Sequence, residues 1–120
     1  MKWKITSHPA FKEEFHGLSG AVQDAILAKV GMLAEFGLKM RRPLVDSLNA
    51  SKFPNMKELR CNADNGVWRI AFAFDPECNA VLLVAGDKVG INEKRFYKRL
   101  IAKADERFEQ HLVEQKRRMR

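Results

Sequence analysis

The stretch Val67-Trp68-Arg69-Ile70-Ala71-Phe72-Ala73-Phe74 decides the fold of this chain. Trp68, Ile70, Phe72 and Phe74 alternate with Val67, Arg69, Ala71 and Ala73. A period of two puts the first set on one face of a β-strand and the second on the other. The large apolar set must face a core, so Arg69 is expected on an open face with two small neighbours. On either side, Lys57 to Cys61 and Ala80 to Lys88 also read as strands. The turn-forming stretches Ala63-Asp64-Asn65-Gly66 and Asp75-Pro76-Glu77-Cys78-Asn79 join the three into a meander. Matching core face to core face pairs Cys61 with Trp68, Leu59 with Ile70, and Arg60 with Arg69. Two arginines directly opposite repel each other unless Glu58 offsets the charge or the face exists to hold an anion.

The flanks of the meander read mainly as helices. Trp3 to Thr6 can form a short edge strand, and Ser7-His8-Pro9 then starts a helix with Ser7 as N-cap and Pro9 in the first turn. Gly17 ends it. Ser19 caps a second helix whose stripe is Val22, Ala25, Ile26, Lys29, Val30, Leu33 and Phe36, closed by Gly37. A further short strand is placed around Leu44 to Leu48. Asn92 caps a last helix to about Leu112, with Phe96, Tyr97, Leu100, Ile101, Ala104 and Phe108 on its apolar side. The expected class is α+β: an antiparallel meander with an N-terminal helical hairpin and a C-terminal helix packed on it. No repeat or linker divides the chain, so residues 1–120 read as one domain with a basic tail at about 113–120.

The totals narrow the function. The 120 residues carry a net charge of +7, with a pI near 9.7. Residues 1–60 hold 10 basic and 6 acidic side chains, residues 61–120 hold 12 and 9, so the excess is not confined to a tail. That charge fits a nucleic-acid partner. The longest mainly apolar run, Ala80 to Gly86, is far below a membrane span, and Met1-Lys2-Trp3-Lys4 leads into no apolar signal region. A cytoplasmic protein without a membrane role is expected. Cys61 and Cys78 form no CxxC pair, and His8, His16 and His111 lack metal-ligand spacing, so neither metal nor cofactor is expected. Glycine-rich phosphate loops and nucleophile elbows are missing from the sequence, which leaves a small-molecule hydrolase without a nucleophile.

Candidate site residues gather at one end of the meander. Arg60 and Arg69 share a face, and Lys88 ends the strand beside the start of Arg69's own. The last helix opens with Glu93-Lys94-Arg95-Phe96-Tyr97-Lys98-Arg99. Lys94, Arg95, Lys98 and Arg99 lie largely off its apolar side, where a phosphate backbone would meet cations. Tyr97, at the margin of the stripe, suits either ring burial with a wet hydroxyl or a proton-handling or base-stacking role.

Glu58-Leu59-Arg60, Gly66-Val67-Trp68-Arg69-Ile70-Ala71-Phe72, Leu82-Leu83-Val84-Ala85-Gly86-Asp87-Lys88 and Asn92-Glu93-Lys94-Arg95-Phe96-Tyr97 together resemble the RelE/ParE toxin superfamily, in its HigB-like, phage-derived host-inhibition branch. The resemblance implies a cytosolic endoribonuclease that cuts mRNA on the ribosome without a metal. It also implies a partner antitoxin, often a helix-turn-helix protein, and a toxin–antitoxin hetero-oligomer. Within it, Arg69 is expected to bind the scissile phosphate. Lys88 stands where relatives carry an arginine, as a phosphate contact or proton donor. Tyr97 stands for a C-terminal tyrosine that stacks on a base or accepts a proton, and Arg60 continues a basic strand. Lys57, with the four cations of the last helix, completes the expected RNA-binding set. Two departures stand out: Glu58 and Arg60 replace two lysines on one face, and Tyr97 lies inside a longer last helix. Glu58 therefore remains open as general base or as anchor for Arg60 and Arg69. A ParE-like gyrase poison and a non-enzymatic nucleic-acid-binding module are the alternatives on the same fold.

Overall fold

The structure, a computed structural model, describes residues 3–119. Its elements run β1 (Lys4–Ser7), α1 (Pro9–His16), α2 (Gly20–Phe36), β2 (Val45–Ser47), β3 (Met56–Ala63), β4 (Gly66–Phe74), β5 (Asn79–Asp87) and α3 (Glu93–Arg118), with a 3-10 turn at Gly37–Lys39. The five strands form one sheet in the order β1-β5-β4-β3-β2. The meander β3–β4–β5 is antiparallel, with Cys61 opposite Trp68, Leu59 opposite Ile70 and Arg60 opposite Arg69. Its first hairpin turns on Asp64 and Asn65, both at positive φ, as a two-residue turn matching the strand twist requires. At the far edge β1 pairs with β5 in parallel, so the sheet is mixed rather than wholly antiparallel.

Helices cover both faces. Phe11, Val22, Ile26 and Leu33 of α1 and α2 pack on Leu59, Cys61, Ile70, Phe72 and Phe74. Phe96, Leu100, Ala104 and Phe108 of α3 pack on Met56, Ala71, Ala73, Val81 and Leu83. The face expected to be open is therefore a second core: Ala71 and Ala73 are fully buried floor beneath α3. Small side chains there let a helix approach rather than leaving a shallow surface. A bulge adapts β5 to this: Ala71 pairs with Val84 and Phe72 with Leu82, so Leu83 is skipped. Arg107 of α3 donates to the Leu83 carbonyl at 2.8 Å and grips both oxygens of Glu14 in α1 at 2.8 and 2.6 Å.

Several boundaries move. The N-cap of α1 is His8, whose Nδ1 accepts from the Ala10 amide at 3.0 Å, not Ser7, which belongs to β1. Asn92 caps α3 as expected, but the helix continues to Arg118. The stretch taken as a tail from 113 onward is thus helical, with Gln115 buried against Asp75, while Arg120 lies outside the described residues. Gly37 ends α2 at φ +48, where a Cβ would sit 1.8 Å from Trp3 Nε1. Among the described residues no helix is long and apolar enough to cross a membrane.

Candidate active site

The start of α3 lies across Arg69. Gly86, the β5 partner of Arg69, makes this approach possible, since a Cβ there would come within 2.9 Å of the Phe96 ring. The Arg69 guanidinium carbon sits 5.7 Å from the ring centres of both Phe96 and Tyr97. Arg69 is only 7% exposed. The expectation that it stands on an open surface is corrected: alternation assigned the right face, but α3 roofs it.

Burial forces that charge to be met. Arg69 Nε donates to Tyr97 Oη at 2.7 Å, and Nη1 donates to the Val67 carbonyl at 3.1 Å. Tyr97 Oη in turn donates to Glu58 Oε1 at 2.8 Å. The other oxygen, Oε2, accepts from Arg60 Nη2 at 3.0 Å. Glu58 is 3% exposed and lies 3.8 Å from Arg69 Nε, so one buried carboxylate neutralises the opposed arginines directly and through the phenol. Burial pushes the Tyr97 hydroxyl above its ordinary pKa, and the bond to Glu58 adds to this against the opposing pull of Arg69. The hydrogen bond to Glu58 raises Arg60 further, against the cost of its own partial burial. Arg60 Nε is buried with no hydrogen-bond partner.

The other expected residues are more scattered. Lys88 follows the end of β5 and holds Glu93 Oε1 at 3.1 Å, an exposed ion pair at the start of α3. Lys57 shares its strand face with Leu59 and Cys61, away from Glu58 and Arg60, and its ammonium lies 3.4 Å from Ser47 Oγ. Lys94, Arg95, Lys98 and Arg99 do come together, lining one open concavity of about 900 Å³ along α3 with Asn92 and Ala102. Lys29 stood in the α2 stripe without a role. It lines a smaller cavity, about 290 Å³, with Arg60, Asn62 and Arg69. The sequence signal was a cation at a core-facing helical position between Ile26 and Leu33. Among the described residues no group of three or more His, Cys, Asp and Glu side chains could hold a metal ion.

Comparisons with known proteins bear on the family and the fold. Residues 13–109 match the family described as phage-derived protein Gp49-like. The chain is 41% identical over 105 residues to the candidate toxin HigB3 of Mycobacterium tuberculosis, covering 88% of this chain and 90% of that protein. It is 38% identical over 100 residues to the candidate toxin HigB2 of the same organism, covering 82% of this chain but 49% of the relative. An arginine-to-alanine double variant of the E. coli toxin RelE, solved in its free state, superposes with a TM-score of 0.55 at 12% identity, over 86% of this chain and 97% of that one.

Proposed function

This chain belongs to the phage-derived Gp49-like family of HigB-type toxins within the RelE superfamily, and on that footing we propose that it is the toxin of a toxin–antitoxin pair and cuts messenger RNA on the ribosome. The observation that carries the reading is the buried hydrogen-bonded chain Arg69–Tyr97–Glu58, with Arg60 on its outer oxygen. Cleavage by the RNA's own 2′-hydroxyl needs a proton acceptor, cations against the charge growing on the phosphate, and a proton for the departing 5′ oxygen. Tyr97 supplies a relay. Its raised pKa keeps the phenol neutral at working pH, so it takes the 2′ proton while its own passes to Glu58. The 2′ oxygen bonds to phosphorus, the bond to the 5′ oxygen breaks, and a 2′,3′-cyclic phosphate forms. Arg69, fixed by Tyr97 and the Val67 carbonyl, is preorganised to offset charge on the phosphate. Arg60 moves from Glu58 onto the same group, which frees Oε2. Lys88, or water, returns the proton to the 5′ oxygen.

On this reading the protein works in the cytoplasm, and a helix-turn-helix antitoxin holds it silent in a hetero-oligomer. The cations along α3 take phosphates of the ribosome-bound strand. The test is induced expression followed by mapping of mRNA 5′ ends, with Tyr97→Phe as the matched variant. The parental chain should produce cuts within translated codons. The variant removes one hydroxyl and should cut about 10²–10⁴-fold more slowly. Parental cutting by Tyr97→Phe would remove the relay, and growth arrest with intact mRNA would point instead to a gyrase-type target.

A further inference from the structure

Lys29 is a half-buried cation on the core-facing side of α2, and it faces a cavity rather than a carboxylate. The cavity, about 290 Å³, is lined by Lys29, Arg60, Asn62 and Arg69, with Pro43, Leu44 and Val67 among its walls. Three cations from α2, β3 and β4 thus converge on one concavity, and no acidic side chain is among its lining residues. Glu58 already offsets Arg60 and, through Tyr97, Arg69. Among the described residues no ion pair joins Lys29 to a carboxylate. Clustered, partly desolvated cations of this kind are costly unless an anion joins them. The place is also accessible to a strand-like ligand. β2 pairs with β3 only as far as Leu59, so Asn62 lies on an edge that no strand covers.

We propose that this cavity is a phosphate-binding pocket, that Lys29 is one of its ligand-contacting residues, and that a phosphodiester of the bound RNA strand sits there beside the Glu58–Tyr97 pair. The RNA part rests on the ribonuclease reading above; the anion chemistry does not. The volume is at the lower limit of small-ligand sites, about 300 Å³, which suits a phosphate with part of its sugar rather than a whole nucleotide. Arg69 touches both the pocket and Tyr97, so a phosphate held here is in register with the proton relay.

Two measurements test this without any cleavage. In the first, inorganic phosphate is titrated into the full chain while backbone amide signals are followed by NMR. Lys29, Arg60, Asn62 and Val67 should shift saturably, and Lys29→Ala should abolish the response. In the second, binding of a non-cleavable, fully 2′-O-methylated RNA oligonucleotide is followed by fluorescence anisotropy. Lys29→Ala should weaken it roughly tenfold or more, the loss expected for one charge-assisted contact. Lys29→Gln, which keeps the aliphatic stem against its apolar neighbours, should behave the same, and Lys29→Arg should retain most of the affinity. A urea midpoint checks that each variant is folded. Phosphate shifts confined to Lys94–Arg99, or undiminished in the Lys29 variants, would overturn the pocket. An intact phosphate response in a protein that leaves mRNA uncut would instead overturn the ribonuclease reading alone.

Discussion

Arg69 has its charge met at two nitrogens, Nε by Tyr97 and Nη1 by the Val67 carbonyl, beneath the first turn of α3. Position 69 therefore holds structure as well as carrying the proposed phosphate contact. Read as an exposed side chain, it could be deleted without harm to folding; buried, it cannot. Arg69→Ala leaves the phenol oxygen and the Val67 carbonyl short of a donor, and should lower stability by about 1–3 kcal/mol in a denaturant titration while abolishing cutting. Arg69→Lys keeps the charge but has a single ammonium, which cannot reproduce the guanidinium's spread of donors. It should recover part of the stability and little of the activity. An unchanged urea midpoint for Arg69→Ala would show that the guanidinium contributes nothing to holding Tyr97 and Glu58 together. The sequence showed that positions 58, 60 and 69 share a strand face. It did not show that a phenol 28 positions further on would lie between Arg69 and Glu58.

At the scale of elements, α3 decides most of what the site can be. Its first turn roofs Arg69, its middle clamps Glu14 and the bulged Leu83 through Arg107, and its last turns lock onto the β4–β5 turn. That lock centres on Asp75, whose side chain is fully buried. Asp75 accepts from the Glu77 and Asn79 amides, the Asn79 side chain and Gln115, and lies 2.8 Å from His111 Nε2. Burial alone would raise the Asp75 pKa, but the bonds from Asn79, His111 and Gln115 together outweigh it and leave the carboxyl below its ordinary value near 3.8. A carboxyl with a lowered native pKa adds stability that is present above the ordinary carboxylate range. That stability is lost as pH falls through the range toward the native value. Asp75→Asn should therefore be less stable than the parent at neutral pH, and the gap should narrow as pH falls below about 4. Parallel stability curves for the two proteins between neutral pH and about pH 3 would show that Asp75 is not the acid-sensitive tie. His111, which lacks metal-ligand spacing in the sequence, is in the structure a partly buried clamp stacked on Phe108. Nothing local could reveal this, because its partner is 36 residues away.

For the molecule as a whole, which carries a net charge of +7, the basic side chains at the candidate site fall into an inner set and an outer one. The inner arginines, 60 and 69, are tied to Glu58 and Tyr97. The outer set, Lys94, Arg95, Lys98 and Arg99, forms one open surface on α3. An outer surface of this kind attracts a phosphate backbone without reading its sequence. RNA affinity should fall steeply between about 50 and 200 mM salt, by a slope of about 0.7 per phosphate contacted on a single strand. Lys98→Ala should reduce that slope by about one contact and weaken different sequences equally, as read by anisotropy over a salt series. A flat salt profile for the parent would mean that the outer cations meet no phosphate and would favour a protein target.

The sequence alone determined the β3–β4 register, since the period of two requires an even loop and the Ala63–Gly66 turn then sets Arg60 opposite Arg69, as observed, although Ala63 and Gly66 themselves pair and only Asp64 and Asn65 turn. It also determined the helical hairpin, the Ser19 and Asn92 caps and the grouping of cations at the start of α3, because each depends on residues within a few positions of one another. Tertiary structure decided which layer covers each face. Periodicity says that two faces differ, but a face bearing Arg69, Ala71 and Ala73 serves equally as an open floor or as the seat of a helix. The choice was made by Phe96, Leu100 and Phe108, which had no other place to be buried. Long-range closure likewise set β1 parallel to β5, brought Lys29 and Arg60 to one cavity and placed Tyr97 on Glu58. Local sequence fixes the direction in which a side chain leaves its own element; what it meets there depends on burying apolar surface supplied by residues far away in the chain.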